Sequence, residues 1–239
     1  MTTKSAVTTA LAAAAIGLAA AGAAHAQFAA EGDPAPAVIL FGATNDGGWS
    51  QAIDEARMRL EAEFDLTIPQ AAEIPESATA IRPVAELFID RGANIILGSA
   101  FGYSDTFAEL AAEYPDVVFL NPAGTTNGDN LKSFYGRTYE THYLCGMVAG
   151  GLSETGNLGF VAANPFGLVN WTVNAYLLGA REVNPDATVT VVFTGAWADP
   201  VRERAAAEAL VEQGVDVIGQ HVDTPTVQVV AQEAGIFGT

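Results

Sequence analysis

The chain has 239 residues, half of them hydrophobic, with 28 acidic against 10 basic side chains and a formal net charge of −18. That excess of carboxylates disfavours nucleic acid, whose phosphates demand Lys and Arg, and anionic membrane surfaces. The single cysteine, Cys145, excludes an internal disulfide.

The N-terminus begins with Lys4 and continues through an Ala/Leu/Ile-rich run from Leu11 to Ala24 to the small-residue site Ala24-His25-Ala26. Residues 1–26 therefore read as a cleavable secretory signal peptide. The run is too short for a membrane span, and no cysteine follows the cleavage site to accept a lipid. A soluble monomer exported to the periplasm is expected.

Beyond a Pro/Gly/Asp-containing lead-in, strands and helices alternate. A strand over 38–43 runs into Asn45-Asp46-Gly47-Gly48-Trp49, and the first helix is expected to bury Trp49, Ile53, Ala56, Leu60 and Phe64, which share one helical face. The next helix places Ile81, Val84, Ala85, Phe88 and Ile89 on one side and stops at Gly92. A strand over 94–98 leads to Ser99-Ala100-Phe101. A helix with Phe107, Leu110, Ala111 and Tyr114 then ends at Pro115. A strand over 117–120 ends at Asn121, a fifth lies near Phe134-Tyr135, and a strand over 158–163 ends at Asn164-Pro165-Phe166. The last two, 188–194 and 215–220, lead to Trp197-Ala198-Asp199 and Asp223-Thr224. Asp199-Pro200 and Thr224-Pro225 then open helices as cap plus proline.

Runs such as Val38-Ile39-Leu40-Phe41 and Val189-Thr190-Val191-Val192-Phe193 lack alternation, as strands of a parallel sheet covered on both faces do. Alternation with helices makes the fold α/β, doubly wound. The chain divides into an N-terminal lobe over 37–137 and a C-terminal lobe over 138–239. Because it stops at Ile236-Phe237-Gly238-Thr239, expected to be the start of another buried strand, the second lobe is expected to be truncated.

Ligands of open α/β sheets sit beyond the carboxyl ends of the strands, and here two such sets of loops occur, the layout of a clamp. The turn from Gly42 to Trp49 lacks the G-x-G-x-x-G spacing and a Walker lysine, so a dinucleotide or nucleoside triphosphate is not expected. Trp49 is either core or a wall of the crevice, Trp197 is expected to be a flat wall for a planar guest, and Phe101 and Phe166 either add to the walls or pack internally. Asp46 either caps the helix or binds ligand, Asn164 either meets a ring edge or satisfies its turn, and Ser99 lies in the loop of Phe101. Capping by Thr224 leaves the Asp223 carboxylate free to accept from a hydroxyl or ring N–H. Gly98-Ser99-Ala100-Phe101-Gly102 has its serine one place early for a nucleophile elbow. With His142 and His221 the only histidines after the leader, no catalytic residue, metal or cofactor is expected.

Gly48-Trp49-Ser50-Gln51-Ala52, Ser99-Ala100-Phe101-Gly102-Tyr103-Ser104-Asp105, Tyr114-Pro115-Asp116-Val117, Tyr139-Glu140 with Gly146, the stretch Asn174 to Arg181, and Trp197-Ala198-Asp199-Pro200 together resemble the basic membrane protein (PnrA-like) group of ABC-transporter solute-binding proteins. The similarity runs over 37–239 in order. It implies a type I periplasmic binding fold, two Rossmann-like lobes closing on a purine nucleoside or nucleobase, and delivery to a membrane permease driven by an ATPase. By position, Asp46 matches the family's ligand-binding aspartate, Glu140 an acidic residue at the lobe crossover, and Trp197 the stacking aromatic of the second lobe. The chain departs from relatives at Ile53, where they tend to have His, and at Leu168 and Trp171, where they tend to have Glu and Arg. The expected ligand set is Asp46, Trp49, Ser99, Phe101, Glu140, Asn164, Trp197 and Asp223. The alternatives are a periplasmic sensor subunit and a secreted nucleoside-processing enzyme.

Overall fold

The computed structural model describes residues 30 and 32–239; the signal peptide expected over 1–26 lies outside the described residues. In the first half the apolar runs become β1 (Pro36–Ile39), β2 (Gln70–Ala71), β3 (Ile95–Gly98), β4 (Val118–Pro122) and β5 (Leu131–Phe134), with α1 (Trp49–Phe64), α2 (Ala78–Asp90) and α3 (Ser104–Glu113) between them. The second half contributes α4 (Thr138–Leu152), β6 (Asn157–Ala162), α5 (Gly167–Val183), β7 (Thr188–Phe193), α6 (Pro200–Glu212), β8 (Val217–His221), α7 (Thr226–Ala234) and β9 (Phe237–Gly238). Every strand pairing is parallel, for example Val38 opposite Leu97 and Phe160 opposite Gly219.

The strands form two sheets, ordered β2-β1-β3-β4-β5 and β7-β6-β8-β9. In the first, β2 and β3 flank β1; in the second, β7 and β8 flank β6. Each sheet thus reverses its winding direction at a central strand, and the crevice opens beside that reversal, beyond the strand ends. In the first sheet it is bounded by the loops after β1 and β3, in the second by those after β6 and β8.

Apolar side chains fill both faces of both sheets, as continuous hydrophobic strands require. Tyr103, Phe107 and Phe119 are fully buried on one face of the first sheet, and Val38, Leu40 and Ile68 on the other. In the second, Phe160 of β6 packs with Ala149 of α4 and Tyr176 of α5 on one face, while Ile218 of β8 packs with Leu210 of α6 and Val227 of α7 on the other. α4 and α5 meet closely: a Cβ on Gly146 would stand 2.0 Å from the Tyr176 carbonyl oxygen.

Two sequence expectations are corrected here. The inward face of α1 is largely polar: of the expected apolar face Ile53 does pack against the Val38, Leu40 and Ile68 core, but Ser50 and Asp54 are the buried residues and Leu60 and Phe64 are exposed. Its anchors are specific bonds. Ser50 Oγ accepts from Gly42 N at 2.9 Å, and Arg57 is held by Asp54 while it donates to the Ile68 carbonyl. β9 does form at the expected place, but as an exposed edge strand with Phe237 half uncovered.

Candidate functional site

Between the carboxyl ends of the two sheets lies a cavity of about 390 Å³, lined from the first half by Phe41, Trp49, Glu76, Ser99 and Phe101, and from the second by His142, Leu168, Trp197, His221 and Asp223. Tyr135 and Thr138, on the link from β5 into α4, complete the floor. Five of the eight residues expected from sequence therefore face one space: Trp49, Ser99, Phe101, Trp197 and Asp223.

Their positions are fixed by the strand ends. Ser99 Oγ accepts from Phe41 N at 3.1 Å, and the Ser99 carbonyl accepts from the Trp49 indole N–H at 2.6 Å. The turn after β1, the turn after β3 and the first indole are thereby locked to one another. With its amide oriented to satisfy both ends, buried Asn121 donates to the carbonyls of Gly98 and Ala100 at 2.8 and 2.9 Å, stiffening the same turn. In the second half, Asp199 Oδ1 accepts from Arg202 N, with Pro200 opening α6. Asp223 N donates to the Trp197 carbonyl at 2.8 Å, tying the two loops of this half together.

The rings make a cluster that bridges the halves. Phe101 stacks on Phe166 at 4.5 Å and 8°, and Trp197 stands 6.4 and 6.0 Å from those two rings, tilted to both. Trp49 leans on Tyr135 at 6.1 Å. Aromatic walls of this kind offer flat faces to a planar solute. One face of Phe101 is taken by Phe166, which itself lies outside the cavity lining.

The remaining expected residues lie elsewhere. Asp46 caps α1, its two carboxylate oxygens accepting from Gly48 N, Ser50 N and Gln51 N at 2.8–3.0 Å. It lines a neighbouring cavity of about 660 Å³ that shares Phe41 and Asp223 with the first. Glu140 is exposed and paired to Arg137 at 2.6 Å, and Asn164 lines neither cavity. The sequence reading missed Glu76, Tyr135, His142 and His221. Of the three departures from relatives, Leu168 alone lines the cavity; Trp171 is 60% exposed on α5.

Charge at the site is acidic. Asp223 is pushed up from 3.8 to about 7, first by burial and then by the like charges of Asp46, Glu203 and Glu76. Burial, helped by His142, pushes His221 down from 6.5 to about 4. Unfolded, Asp223 ionises near its ordinary value, so the stability it lends below that value is lost as the pH climbs through about 7. His221 acts oppositely: its contribution is present above 6.5 and is lost as the pH falls toward about 4. Asp223→Asn is expected to raise the thermal unfolding midpoint more near pH 8 than near pH 5, read by circular dichroism. Equal shifts at both pH values would mean that Asp223 ionises freely in the fold.

The halves touch beside the cavity. A Cβ on Gly48 would lie 2.2 Å from the Asp223 carbonyl oxygen, and Gly47, at φ +75°, sets its backbone against the Pro225 ring. Among the described residues, no group of three or more His, Cys, Asp or Glu could hold a metal ion. No described helix is long and apolar enough to cross a membrane.

The sequence family described as ABC transporter substrate-binding protein PnrA-like matches residues 35–237. A putative ABC transporter glucose-binding protein of Haloferax volcanii is 37% identical over 199 residues, covering 83% of this chain and 51% of that protein. A purine-binding protein of Brucella abortus is 36% identical over 200 residues, 83% of this chain and 57% of its own length. The chain thus spans about half the length of these relatives. Among solved structures, an ABC transporter solute-binding protein from Aeropyrum pernix superposes with a TM-score of 0.74 at 22% identity, over 84% of this chain and 59% of the other. At that identity the likeness shows the fold, which is that of type I periplasmic binding proteins.

Proposed function

Because this chain belongs to the family of PnrA-like ABC-transporter substrate-binding proteins, we propose that it captures a purine nucleoside or nucleobase in the periplasm and passes it to a membrane permease powered by an ATPase. The halves 37–137 and 138–239 act as the two lobes of the clamp, and the leader over 1–26 directs export and is removed after it. One observation carries the reading: Trp49, Phe101 and Trp197 wall a cavity that also presents the carboxylate of Asp223. Flat rings fit a heterocycle at about 1–3 kcal/mol per stacked face, and a carboxylate accepts from ring N–H or sugar hydroxyls. The purine-binding relative from Brucella abortus adds support.

A second reading, a hexose, is favoured by the name of the Haloferax volcanii relative. Calorimetric titration of the chain with adenosine, adenine and glucose separates the two. Saturable heat with a purine and none with glucose is expected. Heat with glucose alone, or with none of the three, would overturn the purine assignment. The chain acts as a binding protein and not as an enzyme, so prolonged incubation with adenosine should release no adenine.

A further inference from the structure

Glu76 is the one carboxylate that the first half sends into the aromatic cavity. It follows β2 and Ile74-Pro75, and its side chain lies over the turn that carries Phe101: Oε1 accepts from Gly102 N at 2.6 Å. A Cβ on Gly102 would stand 2.8 Å from the Glu76 side chain, so the carboxylate occupies a place left open by that glycine. Across the cavity stands Asp223, from the second half. The two interact through space, since Glu76 is among the charges that raise Asp223. Among the described residues, no hydrogen bond reaches the Asp223 side chain.

The adjoining cavity continues the pattern. It shares Asp223 and adds Asp46 and Glu73. Together the two cavities carry four carboxylates, and no Lys or Arg appears in the lining of either. Arg202, at the start of α6 beside the lining residue Pro200, has its guanidinium spent on the Thr194 carbonyl and on Asp199. Binding an anion normally takes Arg or Lys, or backbone N–H groups left open at a helix start. Here the start of α1 already has its N–H groups capped by Asp46.

We propose that the joined cavities reject anionic solutes, phosphorylated ones above all, and that Glu76, set opposite Asp223, is a specificity-determining residue for this rejection. A solute bringing hydrogen-bond donors relieves the opposition of the two carboxylates. A solute bringing a phosphate adds to it. The inference rests on the proposed function only in taking this cavity as the place where solute is held, and it concerns charge, whichever uncharged solute proves correct.

Two measurements test it, one of which needs no solute. In a Trp171→Phe background the remaining indoles, Trp49 and Trp197, both line the cavity. Their fluorescence is titrated with iodide and with caesium. Glu76→Gln keeps an oxygen for Gly102 N while removing the charge, and is expected to raise iodide quenching relative to caesium about twofold. The same charge change at exposed Glu63, Glu63→Gln, is expected to move the ratio little. Identical responses from Glu76→Gln and Glu63→Gln would overturn the inference. In the second measurement, adenosine 5′-monophosphate is expected to bind about 100-fold more weakly than adenosine, with Glu76→Gln narrowing the gap about tenfold. Equal binding of the two by the unmodified chain would also overturn it. Should adenosine fail to bind while the quenching difference persists, the purine reading falls and the charge selection stands.

Discussion

Gly146→Ala is expected to destabilise the fold by about 3 kcal/mol, the upper end of what overpacking costs. The added methyl would lie 2.0 Å from the Tyr176 carbonyl oxygen, 2.8 Å from its carbon and 3.0 Å from Ala180 N. All three obstacles are backbone atoms, so no rotamer change relieves them and α4 and α5 must part. Parting displaces Tyr176, which is fully buried with its ring edge-on to Phe160 at 5.1 Å. The same substitution five residues along the same helix makes the control. A Cβ on Gly151 meets nothing within 4 Å, so Gly151→Ala is expected to stabilise by up to about 1 kcal/mol through helix propensity alone. Urea unfolding followed by circular dichroism reads both. If the two variants shift the midpoint in the same direction, close packing of these helices is not what limits stability.

Trp197→Ala is expected to weaken adenosine binding by about 1–3 kcal/mol, the range for one stacked ring face. Trp197 is half-buried, rests against the apolar cores on both faces of the second sheet, and touches Phe101, Phe166 and His221. Removing it also loosens that packing. Trp197→Phe retains a ring and is therefore expected to recover part of the affinity, whereas a purely structural loss would show in the unfolding midpoint of both variants. Calorimetry on the two proteins, with their midpoints measured alongside, separates stacking from packing. Unchanged affinity in Trp197→Ala would remove the second wall from the proposed site.

Trp49, Ser99, Phe101, Trp197 and Asp223 were legible as a group because each follows the carboxyl end of a strand. In a parallel sheet those ends share one side whatever the details of packing. Glu76 obeys the same logic, but β2 is only two residues long, too brief to leave a pattern in sequence. Glu140 lies on the first turn of α4, where the side facing solvent is decided by how α4 packs on α5. His142, two residues further on and so on the opposite side of the helix, lines the cavity instead. A helix carries no local mark of such a choice when its apolar residues surround it. The α1 error has the opposite cause. Apolar spacing at 49, 53, 56, 60 and 64 predicts a buried face of which Ile53 does reach the core, while Ser50, Asp54, Arg57 and Glu61 hold the inner side through hydrogen bonds. Such pairings depend on residues in the loops flanking the helix, here Gly42 and Ile68, and have no period to detect.

The seam of Gly47 and Gly48 against Asp223 and Pro225 has a kinetic meaning. One lip of it is bare main chain and the other a carbonyl and a rigid ring, so nothing interlocks there. Such lips can separate without any side chain changing rotamer, so in the proposed clamp the contact that opening must undo is the Phe101–Phe166 stack rather than this seam.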